Sequence, residues 1–259
     1  MKGETINPIN VETYTHELEL KQKRKATIYF IGDIHYGSPV FREDLFTECI
    51  ETIKKTNNSY VILMGDLLEV GTRNSVGDGV YTQTCNADEQ YDWILQQFLP
   101  IKNKIIGCHT GNHEARVYKQ DGFDLTKNLC RELNTPYLDS HTLHTFKIKD
   151  NYDFTILTMH GASGGRLIQS KMKSLMDFQN IYDADCYVMA HTHHCLTWNN
   201  PYYTRDRKKR RYFLLSGSFM DYIGSYAQNK GLLPAEAGYG YLTLHKDHVD
   251  FNTVKENLL

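Results

Sequence analysis

The sequence predicts an α/β protein built on a largely parallel sheet, with a second, mixed sheet supplied by its last third. Three observations lead there. Short apolar runs alternate with segments of helical spacing, the pattern of strand-helix-strand units. Five of those runs stop abruptly at polar, glycine-flanked residues, and ligands of parallel sheets gather at such carboxyl ends. The 259 residues, 41% hydrophobic and 23% charged, are enough for one large buried core and too few for two ordinary domains with linkers.

The elements follow in order. Residues 1–10 read as a loose arm. Residues 11–20 partly alternate, and after the charged turn Lys21-Gln22-Lys23-Arg24-Lys25 comes the apolar run 26–31, so the two segments are open to pairing as a hairpin. Residues 1–25 are accordingly set apart as an N-terminal arm with an extra strand, and 26–259 as a single domain. Strands are expected at 60–64, 104–108, 154–159 and 186–190, with helices at 42–55, 88–99, 122–133 and 170–181 between them. Residues 213–218 read as a further strand, and 239–245 with 248–254 as a closing hairpin about Lys246-Asp247.

Composition removes several classes of function. The longest apolar runs, such as Val61-Ile62-Leu63-Met64, fall far short of the roughly 20 residues a membrane-spanning helix needs, and the polar N-terminus has no apolar signal core. A cytoplasmic protein is expected. The six cysteines, Cys49, Cys85, Cys108, Cys130, Cys186 and Cys195, form no Cys-x-x-Cys pair and read as reduced, mostly structural thiols. A net charge of −2 argues against general attraction to nucleic acid, though it leaves room for a local basic patch.

Twelve histidines are the oddity, and their positions give them meaning. The five strand ends carry Asp33 and His35, Asp66, Asn112, His160, and His191 with His193. Oxygen and imidazole donors of this kind, with one carboxylate able to bridge, are what a pair of divalent cations requires. Singly, each residue has a plain explanation as a turn aspartate or a packed histidine. Coincidence at five strand ends makes the plain explanation poor.

The ordered set Asp33-Ile34-His35, Gly65-Asp66, Gly111-Asn112-His113-Glu114, His160 and Ala190-His191-Thr192-His193 resembles the calcineurin-like metallophosphoesterase superfamily. That signature runs Asp-x-His, Gly-Asp, Gly-Asn-His-Glu/Asp, His and Gly-His-x-His; the departure here is Ala190 in place of glycine, which removes no ligand. The resemblance implies a β-sandwich of two mixed sheets flanked by helices. It also implies that Asp33, His35 and His193 hold one cation, that Asn112, His160 and His191 hold the other, and that Asp66 bridges them, with a bridging hydroxide as nucleophile. Mn2+ is the expected ion, with Mg2+, Fe2+, Ni2+ and Zn2+ as alternatives.

His113 is expected to face substrate as general acid, and Glu69, three residues after Asp66, is expected to orient it. An exposed loop acid is the competing reading of Glu69. The segment 71–87, polar and glycine-rich, suits a loop rimming the site and places Arg73 as a substrate contact. Arg116 is either a second substrate contact, gripping a phosphate oxygen, or a surface ion pair. The loop Gly161-Ala162-Ser163-Gly164-Gly165-Arg166 reads as a phosphate cradle or as a turn that merely presents His160. Arg205-Asp206-Arg207-Lys208-Lys209-Arg210-Arg211, flanked by Tyr202, Tyr203, Tyr212 and Phe213, suits single-stranded nucleic acid or a solvated hairpin turn.

The function expected is hydrolysis of phosphodiester bonds in nucleic acid or nucleotides, by resemblance to short metallophosphoesterases of the DNA-repair exonuclease type. A phosphomonoesterase or phosphoprotein phosphatase is the alternative, weakened by Val70, which stands where Ser/Thr phosphatases of the superfamily carry arginine. A non-catalytic scaffold is the third reading.

Overall fold

A computed structural model describes residues 12–18, 25–73, 75, 79–138, 140–148, 152–162 and 165–256. The chain forms two mixed sheets packed face to face, with helices on both outer surfaces. In the first sheet β2 (Ala26–Ile31), β3 (Ser59–Leu63), β4 (Ile105–His109) and β5 (Tyr137–Leu138) run parallel. The antiparallel hairpin β11 (Gly238–Leu244) and β12 (Val249–Lys255) joins it on the other side of β2. In the second sheet β1 (Glu12–Leu18) lies parallel to β6 (Thr142–Ile148), which lies antiparallel to β7 (Tyr152–Met159). Then β7, β8 (Cys186–Met189) and β10 (Lys208–Ser218) run parallel, with β9 (Cys195–Tyr203) antiparallel on β10. The last two residues of β10, Gly217 and Ser218, also pair with β11 and join the sheets.

Strand alternation assigns each apolar side chain to a layer. Ile28 and Phe30 of β2 and Ile62 of β3 point inward against Phe146, Ile156, Val188 and Leu214 of the second sheet. Their neighbours Tyr29, Ile31, Val61 and Leu63 point outward. There they meet Phe46 and Ile53 of α1 (Glu43–Lys55), Ile94 and Phe98 of α3 (Ala87–Phe98), and Leu129 and Leu133 of α5 (Leu125–Leu133). On the far side Leu157, Tyr187 and Phe213 pack on Met172 and Leu175 of α6 (Ile168–Met176). Phe30 and Phe146 are fully buried, and truncating either to alanine would cost about 3–5 kcal/mol. Two single-turn helices, α2 (Gly79–Thr82) and α7 (Tyr226–Asn229), lie in loops.

Several expectations are corrected. The expected hairpin does not form: β1 pairs with β6 and β2 with β3 and β11, while the turn residues 21–24 lie outside the described residues. Alternation specifies a strand and its buried face without naming a partner, and here His16 stacks on Phe146 at 4.8 Å while Leu18 enters the core. The helix expected from 122 starts at Leu125, because Asp124 caps it by accepting the Lys127 N–H at 2.8 Å. Gly122, at φ 72°, instead ends a helix the sequence pattern hid, α4 (Asn112–Asp121). The ligand-bearing strands are divided between the two sheets, so the predicted cluster forms across the seam. No helix among the described residues is long and apolar enough to cross a membrane.

Candidate metal centre

The loops after β2 and β3 are zipped backbone to backbone. Asp33 N–H donates to Gly65 O at 3.0 Å, Ile34 and His35 N–H to Asp66 O at 2.9 and 3.1 Å, and Tyr36 N–H to Leu67 O at 3.1 Å. Such contacts fix Asp33, His35 and Asp66 as one unit. Each has left-handed backbone, at φ 47°, 51° and 51°, as do His191 and His193 at 64° and 60°. Aspartate and histidine are among the side chains that tolerate this region best, and its recurrence at five predicted ligands marks strain gathered at one place.

Gly111 lets α4 approach. A Cβ there would lie 2.1 Å from Asp66 N and from Asp66 Oδ1. The N-terminus of α4 consequently meets Asp66, whose Oδ1 accepts the His113 N–H at 2.8 Å. Glu114, one residue on and buried, ties the turn together. Its Oε1 accepts the N–H groups of Leu67 and Leu68 at 2.8 and 3.0 Å, and its Oε2 those of Asp66 and Gly111 at 3.1 and 3.0 Å. This positioning role was missed from the sequence, although Glu114 lies within the quoted motif.

Seven side chains converge as two sets. In one, His35 Nε2 lies 3.9 Å from Asp33 Oδ1 and 3.2 Å from His193 Nε2, which is 3.6 Å from Asp33 Oδ1. In the other, the inward amide atom of Asn112 lies 3.1 Å from His160 Nε2 and 2.8 Å from His191 Nδ1. Asp66 Oδ2 belongs to both, 3.8 Å from His35 Nε2 and 3.4 Å from His160 Nε2. Nitrogen inward satisfies Asn112, which then donates to Asp66 Oδ2 at 3.0 Å with its oxygen facing Arg116 Nη2 at 3.2 Å; with oxygen inward, that oxygen would be a donor to a cation.

The far nitrogens of two histidines are anchored. His160 Nδ1 donates to Met64 O at 2.8 Å, and His35 Nδ1 to Glu69 Oε2 at 3.1 Å, which turns each Nε2 inward as metal-binding histidines require. Asp33 Oδ2 accepts the His191 N–H at 2.7 Å, while Asp33 Oδ1 is buried with no hydrogen-bond partner. A buried carboxylate oxygen facing imidazole nitrogens across 3.6 and 3.9 Å is spaced for a shared cation. The residues present therefore fit the group.

The protonation pattern points the same way. Burial pushes the Asp33 carboxyl up to about 7, with His160 opposing and Asp66 adding. Burial opposes charge on Asp66 as well, yet His160, His113 and His35 hold it well below the usual carboxylate range. Burial acts against His35 and His160 too, but Glu69 and Asp66 raise the first to about 9, and Asp66 raises the second to about 10. Burial lowers His191 and His193, reinforced by cationic His160 and His35 respectively. Protons shared so closely are what bound cations replace.

His113 lies at the edge of this group, its ring edge-on to His35 with centroids 4.4 Å apart. Its Nδ1 donates to the backbone carbonyl of Glu69 at 2.6 Å, whereas the Glu69 carboxylate is 3.8 Å away and bonds to His35. The Glu69 carbonyl thus accepts the hydrogen bond from His113, while the Glu69 carboxylate accepts that of His35 and lies within ion-pair distance of His113. Burial, then His35, holds His113 down to about 4. Arg116 donates to Ser75 Oγ at 2.9 Å, tying α4 to the loop after Glu69. Arg73 is exposed on that loop, with no contact to the cluster among the described residues. Asn74, Asp78, Ser163 and Gly164 lie outside the described residues.

A sequence profile of the calcineurin-like phosphoesterases matches residues 26–195. No curated protein matches the chain significantly. Among solved structures it is similar to a predicted phosphoesterase from Streptococcus pneumoniae TIGR4, at 14% identity and TM-score 0.42 over 90% of each chain. It is also similar to vacuolar protein sorting 29 from Cryptosporidium parvum, at 16% and 0.44 over 90% of this chain and 98% of that one. A metallophosphoesterase from Sphaerobacter thermophilus stands at 14% and 0.41 over 89% of each.

Proposed function

Because the chain belongs to the calcineurin-like phosphoesterase family, we propose that it hydrolyses phosphodiester bonds in nucleic acid or nucleotides with the help of two divalent cations. The observation that carries this reading is the pair of donor sets joined through Asp66 Oδ2. Asp33, His35 and His193 would hold one cation, Asn112, His160 and His191 the other, with Asp66 shared. Mn2+ is the proposed ion, with Mg2+, Fe2+, Ni2+ and Zn2+ as alternatives, since mixed oxygen and imidazole donors can serve each of them. Bound there, the cations would polarise the phosphoryl group and lower the pKa of a water between them.

The chain's own residues supply the rest. Glu114 and Gly111 place Asp66; Glu69 and the Met64 carbonyl aim His35 and His160. His113, with its Nδ1–H donated to the Glu69 carbonyl, turns Nε2 to the substrate; it would protonate the leaving oxygen as the imidazolium, which burial and His35 disfavour and a bound phosphate anion would favour. A diester is favoured over a monoester on charge. A monoester dianion calls for several cationic side chains, and among the described residues the arginine at this cluster is Arg116, bonded to Ser75. Val70 is buried where the phosphoprotein phosphatases carry a further arginine. Turnover of bis-p-nitrophenyl phosphate against the p-nitrophenyl monoester in Mn2+ tests this: the diester should be preferred, and strong preference for the monoester would contradict it.

A further inference from the structure

A second group of donors lies at the opposite end of the first sheet. β11 runs antiparallel to β2 with Leu244 opposite Ala26, so the β11–β12 turn sits at the start of β2, about 20 Å along the strand from Asp33. His245 and His248 flank that two-residue turn, closed by His245 N–H donating to His248 O at 2.9 Å. Cross-strand pairing puts their rings on one face, stacked with centroids 4.1 Å apart and planes 5° from parallel. Asp250 follows His248 by two and so shares its face. Its Oδ2 lies 3.0 Å from His245 Nε2 and 3.7 Å from His248 Nε2.

The geometry points to a binding site for a borderline transition-metal ion, Zn2+ above all, formed by His245 Nε2, His248 Nε2 and Asp250 Oδ2. A tetrahedral zinc ion with bonds of about 2.0–2.1 Å separates its ligands by about 3.4 Å, and binding it would turn the stacked rings out of parallel so that their in-plane lone pairs converge. The two histidine–aspartate separations bracket that value, and the three donor atoms all lie within 4.8 Å of one another. Support behind the ligands is present as well. His248 Nδ1 donates to Asp247 Oδ1 at 2.7 Å, leaving an Nε2 lone pair turned toward the carboxylate. Two electron-rich atoms facing each other across 3.7 Å repel unless a proton or a cation lies between them. The turn itself is clamped from the other sheet: the Tyr152 hydroxyl sits 2.8 Å from His245 O and 3.1 Å from His248 O. His248 and Asp250 are exposed, so an ion can enter and water can complete its coordination.

Two imidazoles and one carboxylate favour zinc, copper or nickel over manganese or magnesium, which separates this site from the oxygen-richer cluster at Asp66. Nothing here depends on hydrolysis. The test is equilibrium dialysis of the tag-free chain against Zn2+ with metal analysis, for the wild type, His245→Ala/His248→Ala and Asp250→Asn, each shown folded by circular dichroism. The double variant should bind one zinc ion fewer per chain, and Asp250→Asn should hold that ion at least tenfold more weakly. Excess Mn2+ should not displace it from the wild type. Zinc stoichiometry unchanged in the double variant would overturn the site, as would unchanged affinity in Asp250→Asn.

Discussion

Glu69 divides its two polar groups between two histidines: its carbonyl receives the His113 Nδ1 proton at 2.6 Å, and its carboxylate receives that of His35 at 3.1 Å. The side chain therefore braces a proposed metal ligand, and the backbone the proposed proton donor.

Glu69→Gln should accordingly raise the Mn2+ concentration needed for half-maximal hydrolysis by about 10- to 100-fold, the usual effect of losing a carboxylate behind a ligand histidine. The rate at saturating Mn2+ should change little. A metal titration of initial rates reads both, and an unchanged metal requirement with a fallen maximal rate would return Glu69 to an acid-orienting role.

His113→Ala should lower the rate by about 10²- to 10⁴-fold with a poor leaving group and much less with p-nitrophenolate, which needs no proton. Its Mn2+ binding should stay near that of the wild type, since His113 lies outside both sets. Equal losses with good and poor leaving groups would remove the general-acid assignment.

Glu114→Ala strands four buried N–H groups, of Asp66, Leu67, Leu68 and Gly111. Stability should fall by on the order of 3 kcal/mol, read as a lower denaturant midpoint at unchanged slope. A midpoint within error of the wild type would mean the turn is held otherwise.

Gly111→Ala should abolish metal-dependent activity while the sandwich core survives. The new Cβ would coincide with Asp66 N and Oδ1, 2.1 Å away, so the shared carboxylate must move. Circular dichroism beside the activity assay separates this from global unfolding.

The seven converging residues were legible in the sequence because each follows an apolar run, and a strand end next to glycine can be read without knowing which strands are neighbours. Partnership was not legible. The alternation in β1 announces a strand and a buried Leu18 but says nothing of β6, more than a hundred residues away. Helix α4 escaped because Glu114 is its one buried residue, so no apolar stripe marks it. Val70 at φ 32° and the Gln90 side chain that accepts its N–H at 2.8 Å leave no pattern either, since their pairing depends on how α3 packs.

The most direct measurement is hydrolysis of bis-p-nitrophenyl phosphate by chelator-treated protein before and after Mn2+ is restored, with Asp66→Ala beside the wild type. Activity should vanish with the metal, return with Mn2+ in the wild type, and stay absent in Asp66→Ala because both donor sets lose their common oxygen. Hydrolysis that persists without metal, or that Mn2+ restores equally in Asp66→Ala, would contradict the account.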